Sequence, residues 1–372
     1  MLKIGITGQE GFIGRHLYNT IGLYPDKFER IDCPGGVFQD DSQLEAFVSR
    51  CDVIVHLAAM NRHPEPEVLF NTNVELVSKL IKALERTSSR PHVLFSSSSQ
   101  EEKDNLYGRS KKEGRRLLSE WAERSGGQFT GLVIPNVFGP FGRPNYNSFI
   151  ATFCHKLTHQ EQPLIDVDGV VKLIFVGDLI KAILDQIVSR NSNYCLTIPP
   201  TDEHKVSEIL ALLENYRLKY FDAGIIPPLP SAFEVNLFNT FRSYIDYPKH
   251  FPIKYTNHTD KRGSFVEIIR LECGGQVSFS TTATDITRGN HYHTRKIERF
   301  SVINGEALIQ LRKIGTDEVI DFYLSGNDPA YIDMPIWYTH NIKNIGEKDL
   351  YTIFWINECY NPDDADTYVE TV

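Results

Sequence analysis

Three imidazoles and a carboxylate recur at close spacing in the last third of the sequence: His291, His293, Glu298 and His340. Neutral imidazole nitrogens and a carboxylate oxygen suit Zn, Fe, Mn, Ni or Cu and leave positions open for water or substrate. On a strand, His291 and His293 point to the same side, because side chains alternate. Glu298 has the opposite parity, so it joins them only if the chain turns between them, and residues 294–296 supply that turn. His340 comes from a later strand, with Pro335 and Trp337 shaping the approach to it. Tyr292 and Lys296 stand beside these residues as acid/base candidates, and nothing in the sequence separates the two.

The first third carries a different kind of chemistry. Gly8-Gln9-Glu10-Gly11-Phe12-Ile13-Gly14 follows an apolar run and opens a helical one. Gly8 permits a tight turn, Gly11 lets backbone approach a pyrophosphate, and Gly14 lets helix and strand pack closely. The helix N-terminus then faces the phosphates of a dinucleotide. Asp32 lies where an acidic residue binds the ribose 2′-hydroxyl of NAD, whereas Arg15 and Arg30 are placed to meet the 2′-phosphate of NADP. The choice between the two cofactors stays open. Leu57 and Ala58 end another apolar run, where loops line the cofactor crevice, and His56 reads as a strand-end residue without chemistry.

Tyr107 and Lys111 are four apart on a helical stretch and share a face. A neighbouring ammonium and a nicotinamide cation would lower the phenol from its ordinary value near 10. Tyr107 would then give a proton to an alkoxide as hydride reaches a carbonyl. Ser96, Ser97, Ser98 and Ser99, at the end of the preceding strand, all qualify by position to hold the carbonyl oxygen.

The elements that must position these residues follow from pattern. Residues 2–7, 52–58, 92–97 and 130–134 are apolar, β-branched strands. Helices over 12–22, 67–85 and 105–124 alternate with them, which implies βαβ units and a doubly wound parallel sheet. A further helix spans about 205–220. From 255 onward the runs are short and strand-like, at 264–271, 276–282, 297–303, 307–312, 319–324, 330–332 and 350–356, so this part is all-β, of sandwich or barrel type. Asn304-Gly305 reads as a type I′ hairpin turn. The expected division is 1–245, a linker at 246–254, and 255–372.

A chain of 372 residues exceeds one ordinary core, and its net charge of −9 argues against general nucleic-acid or anionic-membrane binding. Six dispersed cysteines without a Cys-x-x-Cys pair read as reduced thiols. A glycine turn interrupts the start where a secretory leader needs an unbroken apolar stretch, and no apolar run reaches bilayer length. The expectation is a cytoplasmic protein without membrane insertion.

ThrGlyGlnGluGlyPheIleGly, HisLeuAlaAla, PheSerSerSerSer, TyrGlyArgSerLys and ProAsnValPheGlyPro occur in the order found in extended short-chain dehydrogenase/reductases acting on nucleotide sugars, and residues 1–245 resemble that family. The resemblance implies a catalytic set of Ser98, Tyr107 and Lys111, and a cofactor-binding set of Gly8, Gly11, Phe12, Ile13, Gly14, Asp32, Leu57, Ala58, Lys111 and Asn136. The serine-to-tyrosine interval is shorter than in most relatives, and Gly131 and Leu132 stand where an arginine usually precedes the Pro-Asn motif.

Residues 255–372 resemble the cupin family. His-x-His-x4-Glu-x6-Gly is complete from His291 to Gly305, and Pro-x-Gly-x2-His-x3-Asn is present with Trp337 in place of glycine. The combination resembles bifunctional capsule and O-antigen enzymes on the bacterial route to UDP-N-acetyl-L-fucosamine. The resemblance implies a UDP-sugar substrate, NADPH (with NADH not excluded), a divalent metal of the Zn2+ type and a homodimer. It further implies C3 epimerisation of a UDP-4-keto-6-deoxy-N-acetylhexose in the cupin and C4 reduction in the other domain; Lys296, by its place beside the cluster, is the candidate catalytic residue in the cupin. The alternative is a single-activity nucleotide-sugar reductase, epimerase or dehydratase with a structural or dimerising cupin.

Overall fold

A computed structural model describes residues 1–372. The first strands are short runs whose central residues are mostly apolar and buried: β1 (Leu2–Thr7), β2 (Phe28–Ile31), β3 (Val53–His56), β4 (His92–Ser98) and β5 (Gln128–Ile134). With Asn193–Thr197 they form one parallel sheet in the order β2-β1-β3-β4-β5 and then Asn193–Thr197. Both faces are buried, as near-continuous apolar strands require. Ile4, Ile6, Val53, Val55 and Leu94 pack on one side, with α1 (Phe12–Ile21) and the helix Val176–Ser189. Ile54, Val93 and Phe95 pack on the other, with α2 (Asp41–Val48), α3 (Pro66–Arg86) and α4 (Leu106–Ser125). The alternation along each strand sorts these side chains between two cores.

The strand order reverses at β1: β2 lies on one side of it and β3 on the other. The carboxyl ends of β1 and β3 therefore bound the crevice in which open α/β sheets bind ligands. Neither β2 nor α2 stands out in the sequence pattern. β2 is a four-residue strand with two polar residues, and α2 is recognisable chiefly by Asp40, whose carboxylate caps Ser42 and Gln43 N–H.

The β-rich part consists of two five-stranded antiparallel sheets forming a cupin-type barrel. One holds, in order, Ile253–Lys254, Ala330–Met334, Glu298–Asn304, Leu350–Ile356 and Gln276–Thr282. The other holds Val319–Ser325, Glu306–Lys313, Tyr338–Asn344, Thr287–Tyr292 and Tyr368–Val369. The hairpin expected at Asn304-Gly305 does not form. Glu298–Asn304 and Glu306–Lys313 belong to different sheets, and only Gly305 has positive φ, at 90°. A type I′ turn needs positive φ at both central residues, and Asn304 instead stays in register with Tyr351. The strand expected over 264–271 is shorter, Gly263–Val266, and pairs only with Asn257–Asp260.

The chain divides into two compact units, Met1–Phe149 with Val167–Val206, and Ile150–Asp166 with Ser207–Val372. The segment 246–254 lies within the second unit, which includes the helix Ala232–Arg242 and, from Ser207 on, the helix Val206–Tyr216. Within it, Arg242 donates to the carbonyl of Met334 at 2.8 Å and Asn239 to that of Arg295 at 2.8 Å, so helix and barrel share buried polar bonds.

In the first unit, Trp121 on α4 is fully buried at 0 % exposure. Trp121→Ala is expected to lower unfolding free energy by about 3–5 kcal/mol in urea titrations followed by circular dichroism. A loss below about 1 kcal/mol would show that this core is not closed around the indole.

Candidate functional site

The glycine turn is built as its spacing requires. Gly8 sits at φ 74°, and a Cβ there would lie 2.8 Å from the backbone nitrogen of Ala58. That close approach joins the tips of β1 and β3. A Cβ on Gly14 would lie 2.2 Å from the carbonyl oxygen of Gly8, so the helix can start so near the strand only with glycine there. Gly11 donates its N–H to the Gly8 carbonyl at 3.0 Å, and its missing Cβ faces little else. No side chain caps α1, and no acidic residue lies in its first turn, where Phe12 and Ile13 sit. An uncapped helix end offers N–H groups and a positive dipole end to a phosphate.

Asp32 is exposed just beyond β2 and accepts from the Tyr18 hydroxyl at 3.2 Å. The Arg30 guanidinium lies over the Tyr18 ring, 4.4 Å from its centroid, and Arg15 pairs with Glu10 at 2.8 Å. Leu57 donates its N–H to the Thr7 carbonyl at 3.1 Å, and Ala58 follows it at the crevice wall. His56 is fully buried against Thr7, 2.6 Å from its hydroxyl, and burial, with Lys111 adding, pushes it down to about 3. It is a neutral structural residue. Asn136 is exposed past the end of β5 and donates to the Lys172 carbonyl at 3.2 Å.

The four serines separate once they are placed. Ser96 is buried and bonds the His56 carbonyl, and Ser97 is buried and bonds the Glu101 carboxylate. Ser99 is exposed on the next turn. Ser98 is half-buried at the end of β4, with its oxygen accepting from Gln100 N–H at 3.2 Å. Gly108 lets this turn lie against α4, since a Cβ there would meet the Gln100 carbonyl oxygen at 2.0 Å. Tyr107 and Lys111 project together from α4, with the Lys111 nitrogen 5.8 Å from the Tyr107 ring centroid.

The chain's own groups do not depress the Tyr107 phenol. Burial, with Tyr146 adding, pushes it up to about 12. The Lys111 ammonium donates to the Ser96 carbonyl at 2.9 Å, and burial brings its own value down to about 8. The Tyr107 hydroxyl donates to Asn61 Oδ1 at 3.2 Å. Sequence reasoning had missed Asn61, and also the buried Arg115–Glu101 pair at 2.5 Å behind Ser97.

In the barrel, His291, His293, Glu298 and His340 offer ligand atoms that all lie within 4.8 Å of one another. His291 sits opposite His340 on neighbouring strands of one sheet, just after a bulge at Gly289, while Glu298 opens a strand of the other sheet. The turn expected at 294–296 is present and swings Glu298 inward. Glu298 Oε2 lies 3.1 Å from His293 Nε2 and 3.2 Å from His340 Nε2, yet these three buried atoms are not aligned for hydrogen bonds with one another. His293 Nδ1 is 2.5 Å from the Asp366 carbonyl and His340 Nδ1 3.3 Å from that of Tyr338. Binding the proton on Nδ1 turns Nε2 into a lone-pair donor, as metal-ligating histidines require. Orphaned buried donors converging on one point are the fit a divalent cation needs.

Electrostatics agree with that geometry. Burial, with His340 and His293 adding, pushes His291 down to about 4. Burial would raise Glu298, but His293 and His340 outweigh it and hold the carboxyl well below its usual range. For His293, burial is outweighed by Glu298, and its value is raised. Trp337 takes the glycine position of the motif at φ 61° and is held there by bonds from its N–H to the His293 carbonyl (2.8 Å) and from Ile314 N–H to its own carbonyl (2.9 Å). Lys296 is buried, its ammonium 2.6 Å from the Ala365 carbonyl. Tyr292 has the opposite parity to the two histidines and stacks on Tyr368 at 5.4 Å.

A doubly wound sheet with this turn and a Tyr/Lys pair, joined to a cupin-type barrel with a four-donor cup, defines a dinucleotide-dependent enzyme with a second cluster of side chains able to hold a metal ion. The sequence pattern of the NAD dependent epimerase/dehydratase family matches residues 4–192, and that of the polysaccharide biosynthesis C-terminal domain matches residues 258–368. The UDP-2-acetamido-2,6-beta-L-arabino-hexul-4-ose reductase of Pseudomonas aeruginosa is 31% identical over 380 aligned residues, covering 100% of this chain and 99% of that one. The capsular polysaccharide assembling protein CapF of Staphylococcus aureus is 35% identical with a TM-score of 0.64, covering 99% of this chain and 100% of that one. A CapF structure with the inhibitor 3-isopropenyl-tropolone is 31% identical with a TM-score of 0.60, over 100% of both chains. The chain belongs to the NAD dependent epimerase/dehydratase family and carries a polysaccharide biosynthesis C-terminal domain. It is a nucleotide-sugar reductase/epimerase-type enzyme of polysaccharide biosynthesis. No helix is long and apolar enough to cross a membrane.

Lys111 gives a pH-dependent prediction. Its folded value of about 8 lies below the ordinary 10.5, so the native state binds fewer protons than the unfolded state between those values. The penalty for burying the ammonium is therefore full below about 8 and fades as pH rises towards 10.5. Lys111→Met is expected to exceed the parent in stability at pH 7 by about 1–3 kcal/mol, with the gap closing above pH 8. A variant less stable than the parent, by an amount independent of pH, would contradict the burial penalty.

Proposed function

We propose that the two sites act in succession on one UDP-4-keto-6-deoxy-N-acetylhexose. The barrel epimerises C3. The dinucleotide-binding unit then reduces the C4 ketone with NADPH, giving a UDP-N-acetyl-6-deoxy-L-talosamine for bacterial capsule or O-antigen synthesis. The observation that carries this reading is the four-donor cup of His291, His293, Glu298 and His340 in the same chain as the Tyr107/Lys111 pair. The full-length relative from Pseudomonas aeruginosa, named as a reductase of a hexul-4-ose, supports a C4 ketone as the group reduced.

A hydrogen on C3 is acidic because the C4 ketone beside it takes up charge as an enolate. His291, His293, Glu298 and His340 would hold a divalent cation of the zinc type, which would supply Lewis acidity or order the cup. Tropolones carry adjacent ketone and hydroxyl oxygens that chelate divalent cations, and a tropolone inhibitor of CapF supports a cation here. Lys296 is the acid/base on one face of C3, and water exchanges the proton on the opposite face, so that loss on one side and delivery on the other invert the centre. Lys296 sits two residues before Glu298, and only one of its three ammonium donors is needed for the Ala365 carbonyl. Tyr292 is set aside because its ring lies between Trp337 and Tyr368.

At C4, Ser98 holds the carbonyl oxygen and Tyr107 gives its proton to the alkoxide. The chain alone keeps that phenol near 12, so it holds its proton until needed. The phenolate that Tyr107 becomes would be favoured by the positive charge a bound nicotinamide would carry after hydride transfer. Gly8, Gly11, Phe12, Ile13 and Gly14 receive the pyrophosphate, Leu57, Ala58, Lys111 and Asn136 line the nicotinamide half, and Arg15 and Arg30 beside Asp32 favour NADPH. Reduction removes the acidity at C3 and fixes the new configuration, which is a physical reason to keep both sites in one chain. The proposal includes a homodimer, supported by the barrel's edge strand Gln276–Thr282, which leaves Val277 and Phe279 exposed.

Tyr107→Phe tests the division of labour. Offered the 4-keto sugar in deuterated water, the variant is expected to keep exchanging deuterium into C3 while NADPH oxidation falls by about 10²–10⁴-fold. Loss of both activities together, or no C3 exchange by the parent protein, would sink the scheme.

A further inference from the structure

The turn between His293 and Glu298 is held by a residue from the far end of the chain. Asp366 is 5 % exposed and stands 73 residues beyond His293. Its carboxylate accepts the backbone N–H groups of Thr294 at 3.1 Å, Arg295 at 3.0 Å and Lys296 at 3.1 Å, and the Thr294 hydroxyl at 2.6 Å. Its carbonyl oxygen takes the His293 Nδ1 contact at 2.5 Å. Successive backbone N–H groups around one carboxylate form a concavity that binds an anion firmly. Here the anion is a side chain of the same protein, and the segment it organises carries a cup residue at each end.

Asp366 pays for this placement with backbone strain. Its φ is 43°, in the left-handed region that few L-residues enter and that persists only where surroundings enforce it. The segment beyond it is fastened to the barrel. Tyr368 and Val369 pair with Tyr292 and His291, the Thr339 hydroxyl bonds the Glu370 carbonyl, and Arg312 donates to the Glu370 carboxylate at 2.7 Å and the Thr371 carbonyl at 2.7 Å. One side of this strap therefore lies along the strand that bears His291 and ends just before His293, and its inner end grips the turn leading to Glu298.

We propose that Asp366 is a positioning residue of the metal cup, its carboxylate setting the turn that brings Glu298 to the imidazoles and its carbonyl fixing the His293 tautomer that presents Nε2. The C-terminal strap is thereby part of the site. The inference rests on the metal reading of the four donors. It differs from a purely structural role in what it affects. A residue that only closed the barrel would change stability and leave the donors' affinity for an ion intact. Asp366 acts on the direction of two donors, so ion affinity moves with it.

The test uses the full chain and its Asp366→Asn and Asp366→Ala variants, titrated with Co2+ and Zn2+ against a chromophoric chelator, with the visible spectrum of the cobalt form and the melting temperature of the metal-free protein as further readouts. Asp366→Ala is expected to bind either ion roughly 10–100-fold more weakly, with an altered cobalt spectrum. Asp366→Asn, which keeps one acceptor oxygen and the backbone carbonyl, is expected to fall between it and the parent. Should Asp366→Ala fail to fold, Asp366→Asn decides by the same criteria. If the parent binds Co2+ while the folded variants match its affinity within about twofold and share its spectrum, Asp366 has no positioning role and the metal reading stands. If the parent binds neither ion, the metal reading itself falls and this inference with it.

Discussion

A carboxylate buried among three imidazoles governs the C-terminal half of the molecule. Glu298 is 6 % exposed and held in its charged form, and an isolated charge at that depth is strongly unfavourable. Only a compensating positive charge makes the arrangement stable, whether protons on neighbouring imidazoles or a cation shared by all four side chains. The geometry of the four side chains suits the second solution. The carbonyls of Asp366 and Tyr338 stand where they can accept from Nδ1 of His293 and His340, and Nε2 of each faces Glu298. Bringing Glu298 there requires the chain to leave one sheet at Tyr292 and enter the other at Glu298. The strained backbone at Trp337 and Asp366 surrounds that crossing.

The N-terminal unit meets an analogous demand with backbone. Its crevice must admit a dianionic pyrophosphate, and it does so with an uncapped helix end placed against two strand tips. The close contacts at Gly8 and Gly14 make that placement possible. A second cost appears at Lys111, an ammonium buried where it is least favoured. Charges held at an energetic disadvantage mark sites where binding or chemistry is at stake. By that criterion the two units are alike, although one relies on side-chain donors and the other on glycine turns.

Much of this was legible in the sequence because both motifs are local. The glycine turn occupies seven residues, and Tyr107/Lys111 one helical turn. The parity argument for Glu298 required a turn at 294–296, and the turn is there. What the sequence hid is long-range or depends on pairing. Asp366 lies 73 residues from the histidine it orients, and no local pattern ties the two. Asn61 meets Tyr107 across 46 residues. The Asn304-Gly305 pair misled because turn propensity is local, whereas sheet partnership is decided by the rest of the barrel. β2 escaped notice because a short strand with polar residues owes its existence to its neighbour β1. Raising of the Tyr107 phenol could not be foreseen from its lysine neighbour, since burial, with Tyr146 adding, sets the direction.

The central claim is that proton chemistry and hydride chemistry occur on adjacent carbons in separate pockets. Its most direct measurement is the isotope pattern of the sugar product formed by the parent protein with unlabelled NADPH in deuterated water, read by proton NMR. The account predicts deuterium at C3 and protium at C4. Protium retained at C3, or deuterium at C4, would contradict it.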